Sequence, residues 1–466
     1  MKIRELLAIL LILLFTFGAQ AKIMVNPYGY LPFAKKEALT TEYAENFELR
    51  NKESGRESYK NKLEGPLIDP ETKEELYLLN FTEQVRGGDY FLTVGNTESP
   101  YLKIDARAFN PVFEEAMKHF TARRSDYGWL DDNGEENPLF TSYIMARGLA
   151  FYEVFSDRFA DGELDVLPQE QNNKIPDFVD EMLSGARGLL KWYNDGDRSA
   201  KDANELTFAS AVFALSGRTL LKADRELAEE CSQIAKANFT YLQEERSQEI
   251  RNDLWLLFLA EMNLLTDEKV YEDQFRQQLT PVLETGWQTI SLNDMTGLAI
   301  SEMMKKALPV DDEIYDLFMG RSVGLLIAHD RDPYYRVVAF EPIETEFKGI
   351  YLTETDPSGL GSEGLYFIDV NEYYKTNTWV RAAQDQMHYL LGRNRREIDY
   401  LQDGNSETIF HIALLAAYFK DSSTMTRSGQ VIGGVLKITL YFVLIFSAIT
   451  LWQRYSAKRS EPTEDN

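Results

Sequence analysis

The stretch Gly128-Trp-Leu-Asp-Asp-Asn-Gly-Glu135 sets two adjacent carboxylates, Asp131 and Asp132, in a turn-prone segment just after the aromatic pair Tyr127 and Trp129. Carboxylates in that setting could hold or activate a water molecule. The same residues would equally serve as a solvated Asp/Asn/Gly turn capping the next helix, or as a weak cation site. Other reactive side chains are sparse. The four histidines, His119, His329, His388 and His411, form no short-spaced pair of the kind that ligates zinc, so neither a metal nor a cofactor is expected. Cys231 is the only cysteine, which excludes an intramolecular disulfide, and its place on an apolar helix face makes it a small buried hydrophobe. A formal net charge of -26 argues against a nucleic-acid partner, because a phosphate backbone would be repelled. Neutral glycans or cations suit such a surface better.

A second informative stretch is Phe155-Ser-Asp-Arg-Phe-Ala-Asp-Gly-Glu-Leu-Asp165, followed by Lys174-Ile-Pro-Asp-Phe-Val-Asp-Glu181. Gly162 breaks the chain after a helix, Pro176 suits a first helical turn, and Asp177, Asp180 and Glu181 complement the positive end of a helix dipole. That local reading accounts for the composition but not for the whole string, which resembles the signature of family 9 glycoside hydrolases, the endoglucanase group. Val25-Asn-Pro-Tyr-Gly-Tyr-Leu-Pro32 and Gly88-Asp-Tyr-Phe-Leu92 likewise resemble strands of the immunoglobulin-like domain that precedes many catalytic domains of that family. The resemblance continues through Ser216 to Asp224 and ends in Tyr389-Leu-Leu-Gly-Arg-Asn394.

The resemblance implies hydrolysis of a β-linked polysaccharide by inversion. One carboxyl group then protonates the leaving oxygen while another, about 6.5 to 9.5 Å away, activates a water on the far face of the sugar. The family takes its base from a Gly-Trp-x-Asp-Ala-Gly-Asp motif, whose second Asp falls here on Gly134, and this leaves Asp131 or Asp132 as the base. Its acid comes from an Asn-Glu-x-Ala-Ile ending that fits Asn405-Ser-Glu-Thr-Ile409, where the Glu position becomes Ser406 and Glu407 lies one residue later. The segment after Asn394 departs as well, running Arg395-Arg-Glu-Ile-Asp-Tyr400 in place of a His-His-Arg sugar-binding segment. Tyr127 and Trp129 are the implied substrate-binding aromatics, stacking on the apolar face of a sugar ring. The alternative that these altered catalytic motifs leave open is an inactive glycan-binding or scaffolding protein.

The elements that must carry these residues fall into two blocks. Residues 22–105 read as a small β-sandwich, with short β-prone runs at 37–42, 46–50, 75–79, 90–94 and 101–105 separated by turn-rich pieces. Residues 106–427 turn helical, with amphipathic segments near 109–122, 138–155, 177–194, 205–222, 224–245, 250–265, 268–284, 293–306, 310–328, 378–391 and 406–419. The resemblance implies an (α/α)6 toroid for this block. Between Asp330 and Tyr374, Pro357 and Gly349, Gly359, Gly361 and Gly364 predict loops and a hairpin forming one wall of a cleft.

The termini predict the compartment. Lys2 and Arg4 precede an apolar run closed by Ala19-Gln20-Ala21, a signal peptide over residues 1–21. Residues 431–452 are apolar apart from Lys437 and a few small polar residues, and about 22 residues at about 1.5 Å each reach across a bilayer. Arg454, Lys458 and Arg459 lie in the tail 453–466, which the positive-inside rule places in the cytoplasm. The expectation is a single-pass membrane protein with its bulk outside the cytoplasm; the alternative is that Gly433-Gly434, the apolar run and the basic tail form a cleaved C-terminal sorting signal.

Overall fold

The computed structural model describes residues 21–164, 166–245, 250–285, 295–306, 308–309, 311–338 and 356–420. Nine strands open the chain: β1 (Ile23–Met24), β2 (Glu37–Thr40), β3 (Asn46–Asn51), β4 (Glu57–Lys62), β5 (Glu64–Ile68), β6 (Glu75–Asn80), β7 (Gly88–Val94), β8 (Thr97–Glu98) and β9 (Leu102–Ile104). One sheet runs β1-β2-β6-β5 and the other β4-β3-β7-β8, with β9 also paired to β7, all antiparallel. Strict alternation makes the sandwich: Phe47 and Leu49 of β3, and Tyr90, Leu92 and Val94 of β7, point into one apolar core. Strands β4 and β5, consecutive in sequence but paired in different sheets, β4 with β3 and β5 with β6, were not anticipated. Their residues are mostly exposed and polar, so no period-2 apolar pattern marks them.

Twelve longer helices follow among the described residues. They are α1 (Asn110–Thr121), α2 (Pro138–Phe155), α3 (Asp177–Asn194), α4 (Ala203–Thr219), α5 (Arg225–Glu245), α6 (Asn252–Thr266), α7 (Lys269–Thr285), α8 (Thr296–Met304), α9 (Glu313–Arg331), α10 (Pro357–Tyr374), α11 (Asn377–Leu390) and α12 (Ser406–Phe419). The even-numbered helices are buried on nearly all sides and pack in sequence, α2 on α4, α4 on α6, α6 on α8, with α10 on α12 and α12 back on α2. Tyr373 of α10 donates to the Ser301 carbonyl of α8 at 3.4 Å, completing the ring. The odd-numbered helices pack outside it. This is the toroid of paired helices that the resemblance implied. Because each inner helix is reached from an outer one, all six inner helices run the same way, with their N-termini gathered at one mouth.

The chief departure from expectation is α10, which replaces the predicted loop and hairpin from residue 357 onward; residues 339–355 lie outside the described residues. Pro357 stands at the first helical position, where its missing N–H costs nothing, and Asp356 caps the helix by accepting from Gly359 N at 2.7 Å. The glycines serve close packing. A Cβ on Gly361 would come within 2.5 Å of His411 Cβ, and one on Gly364 within 3.2 Å of Leu415, so their absence lets α10 lie tightly against α12. Gly361→Ala is therefore expected to lower stability by about 1–3 kcal/mol, the usual range for overpacking, read as a shift in urea unfolding midpoint. An unchanged midpoint would mean that the two helices separate without penalty.

The sandwich docks on the flank of the toroid. Met24, Leu39, Leu76 and Leu78 bury against Tyr334, and Tyr30 stacks at 4.6 Å on His388 of α11. Asn26 Nδ2 lies 2.9 Å from His388 Nδ1, and Tyr28 donates to Asp399 at 2.7 Å. Cys231 is free and fully buried on α5. No helix among the described residues is long and apolar enough to cross a membrane. Residues 1–20 of the predicted leader 1–21, the apolar run 431–452 and the tail 453–466 lie outside the described residues.

Candidate active site

The signature around residues 155–181 turns out to position a loop. Asp177, in the first turn of α3, accepts from Gly162 N at 3.0 Å and Leu164 N at 2.6 Å, fixing the acidic turn. One turn on, the fully buried Glu181 accepts from Thr121 at 2.5 Å, from Arg124 at 2.7 Å and from the Trp129 indole at 3.4 Å. Arg124 and Trp129 sit on the two-stranded hairpin β10 (Arg124–Ser125) and β11 (Gly128–Trp129), which leads directly into Asp131. A conventional helix-start acid thus becomes the anchor of the segment that carries the candidate chemistry.

Within that segment Asp131 organises its own turn. Its carboxylate accepts from Asn133 N at 2.9 Å, Glu135 N at 3.1 Å and Asn137 Nδ2 at 3.2 Å, while Gly134 takes the left-handed φ of +78° that closes the turn. Asn137 in turn caps α2 by accepting from Leu139 N and Phe140 N. Burial pushes the Asp131 carboxyl up, but these hydrogen bonds outweigh it and hold the group below the usual carboxylate range. Asp132 reaches the other way, to the start of α12, where Ser406 N donates to its carboxylate at 3.0 Å.

Asp131, Asp132 and Glu407 line one groove of about 430 Å³, together with Asn137, Tyr143 and Arg251. The groove sits at the mouth where the inner helices begin: Asn137 caps α2, Arg251 precedes α6 and Glu407 opens α12. Converging helix N-termini present positive partial charge, which favours ionised carboxylates there. Glu407 is biased against ionisation. Burial, with Asp356 and Asp132 nearby, pushes its carboxyl up against the 3.1 Å hydrogen bond donated by Ser358. Beneath it, Tyr143 Oη lies 2.9 Å from His411 Nε2, and burial with the Arg147 charge lowers that imidazole to about 3. The groove therefore holds one carboxyl, Glu407, biased towards its protonated form and another, Asp131, biased towards its ionised one.

The two aromatics expected at the substrate lie elsewhere. Trp129 is fully buried, edge-on to Phe120 with ring centroids 6.2 Å apart, and it fills the space that Gly185 of α3 leaves open. Its place beside the acidic loop serves the core. Tyr127 is half-buried, donating to Asp195 at 3.0 Å beside Lys191 on the outer flank, and it is not among the residues lining the groove. Residues that the sequence did not single out, Asn137, Tyr143, Arg251 and Ser358, surround the carboxylates instead. Only their positions next to inner-helix starts could have marked them. Among the described residues, no group of three or more His, Cys, Asp or Glu side chains is arranged to hold a metal ion.

A ring of paired helices opening on an acidic groove, with a sandwich docked on its flank, is an architecture found among glycoside hydrolases of family 9. A metagenome-derived endoglucanase of that family superposes with a TM-score of 0.70 at 15% identity, covering 86% of this chain and 99% of the other. A family 9 structure from Bacteroides ovatus gives 0.68 at 13% identity over 86% and 98%. Residues 18–99 match the cellulase N-terminal Ig-like domain, and Endoglucanase D of Acetivibrio thermocellus is 22% identical over 82% of this chain and 72% of its own length. In sequence and in fold the chain is similar to family 9 glycoside hydrolases, and its N-terminal part matches the Ig-like domain of cellulases.

Proposed function

We propose that the chain is a glycoside hydrolase of the endoglucanase type, cleaving β-linked polysaccharide by inversion, with Glu407 as general acid and Asp132 or Asp131 as the base. The observation that carries this reading is the opposed bias of carboxyl groups in one groove, Glu407 held towards its protonated form and Asp131 towards its ionised one. An acid and a base of that kind are what an inverting mechanism needs. Asp131 is half-buried in its turn whereas Asp132 is exposed to the groove, which favours Asp132 as the group that meets water. The similarity to Endoglucanase D supports a β-glucan as substrate. The leader at 1–21 and the apolar run 431–452 support a single-pass protein whose groove faces away from the cytoplasm, a reading tested by protease protection of intact cells or vesicles.

The chemical test is incubation of the purified full-length protein with a panel of β-glucans and envelope polysaccharides. Mass spectrometry should find new oligosaccharides that are absent with an Asp132→Asn, Glu407→Gln double variant. Proton NMR of early time points should show the α-anomer first. No products across the panel would end the hydrolase reading, and a β-anomer first would end inversion.

A further inference from the structure

We propose that His119 and Ser406 are positioning residues that hold Asp132 in place over the groove, so that the candidate base and the candidate acid hang from adjacent residues of one helix start. The proposal rests on the reading of the groove as a hydrolytic site. Three separate elements meet here: His119 on α1, Ser406 at the start of α12, and Asp132 in the loop after β11. His119 Nε2 lies 2.8 Å from Ser406 Oγ, and Ser406 Oγ lies 2.5 Å from Asp132 Oδ1. The Ser406 backbone N–H adds contacts of 3.0 and 3.3 Å to the two carboxylate oxygens. Ser406 is fully buried, while Asp132 is exposed to the groove.

The hydrogen-bond inventory fixes the direction of this chain. An ionised carboxylate only accepts, so the one hydroxyl proton of Ser406 goes to Asp132. Ser406 Oγ is then left as an acceptor, and His119 must present an Nε2–H to it. Both bonds point toward Asp132, and the charge-assisted one is the shorter, as expected for O–H donating to a carboxylate. Glu407 is the next residue after Ser406. The first turn of α12 thereby sets where both carboxyl groups sit, in place of two loops that would move independently.

Removing the hydroxyl leaves the backbone contact but frees Asp132 to swing and leaves the His119 N–H without its acceptor. Ser406→Ala is expected to lower kcat on a soluble β-glucan by roughly 10- to 100-fold with little change in KM, the scale of a misplacement near 1 Å. Ser406→Thr, which keeps the hydroxyl, should recover most of that loss. His119→Ala should fall in the same direction by less, with His119→Gln recovering part through its amide donor. A second readout does not depend on turnover: carbodiimide labelling of Asp132, quantified by peptide mass spectrometry against the exposed Glu114, should be faster in both alanine variants than in the wild type.

Faster labelling with reduced kcat and retained melting temperature supports the proposal. Unchanged labelling in folded Ser406→Ala overturns it, as does faster labelling with unchanged kcat. A wild-type protein that hydrolyses nothing would remove the functional reading, and the labelling would then show whether the clamp on Asp132 exists on its own.

Discussion

Glu407→Gln is expected to reduce kcat on a β-glucan by about 10² to 10⁴, the usual worth of a positioned general acid, with the melting temperature essentially retained. Glutamine keeps the size of the side chain and an oxygen that can accept from Ser358 Oγ, so the 3.1 Å contact survives while the transferable proton is lost. The pH profile supplies the sign. Burial, Asp356 and Asp132 raise the Glu407 carboxyl above its ordinary value, while Ser358 and Arg147 oppose them. The acid therefore keeps its proton to higher pH than an ordinary glutamate, and wild-type activity should fall as pH rises through that raised value. In Glu407→Gln the alkaline limb should vanish from what activity remains. A variant within a few-fold of wild type at every pH would take Glu407 out of the acid role.

The second large effect lies at the opposite end of the toroid, where the inner helices finish. Arg218 of α4 reaches Glu261 of α6 at 2.8 Å and Glu302 of α8 at 2.7 Å, and it also contacts Glu153 of α2. Lys305 closes the cluster on Glu302 at 2.8 Å and Glu153 at 2.5 Å. Glu261 and Glu302 are almost wholly buried. Arg218→Met would leave their charges short of a partner, and breaking one side of a buried pair typically costs about 3–5 kcal/mol. Urea unfolding should register that loss.

Burial pushes the Glu261 carboxyl up, to about 8, against the pull of Arg218 and with the push of Glu302. A carboxyl raised in the folded state contributes stability fully at pH below its unfolded value and loses it as pH rises through the folded one. Without Arg218 the group rises further. The deficit of the variant should thus grow as pH rises through the raised Glu261 value, on top of what the loss of the Glu302 and Glu153 pairs costs at every pH where those groups are ionised. A deficit independent of pH would mean that the lost packing of the arginine stem, and not the stranded charge, is responsible.

Much of the fold was legible in the chain because apolar periodicity survives in its amphipathic parts. The segments 138–155, 177–194 and 406–419 predicted from spacing coincide with α2, α3 and α12. What escaped were elements whose residues answer to a neighbour and not to their own period. The glycines of α10 read as loop residues, since nothing local reveals that His411 and Leu415 will press against them. Trp129 shows the same difficulty at the site: its place in the sequence beside two carboxylates says nothing of whether its ring turns to the groove or to Glu181. Asp131, Asp132 and Glu407 were legible as candidates, and Asp131's turn partners are local, but the tasks of Asp132 and Glu407 follow from Ser406 and Ser358, which lie hundreds of positions away or on another helix.

The common direction of the inner helices divides the labour of the toroid by address. Among the described residues, those at the starts of α2, α6, α8 and α12 border the groove, and those near the ends of α2, α4, α6 and α8 build the charged cluster around Arg218. Segments that remodel the chemistry can therefore be exchanged without disturbing what fastens the ring at its other rim. A barrel so partitioned can keep its shape while its sequence varies widely, and structures that superpose on it at 13–15% identity share that shape.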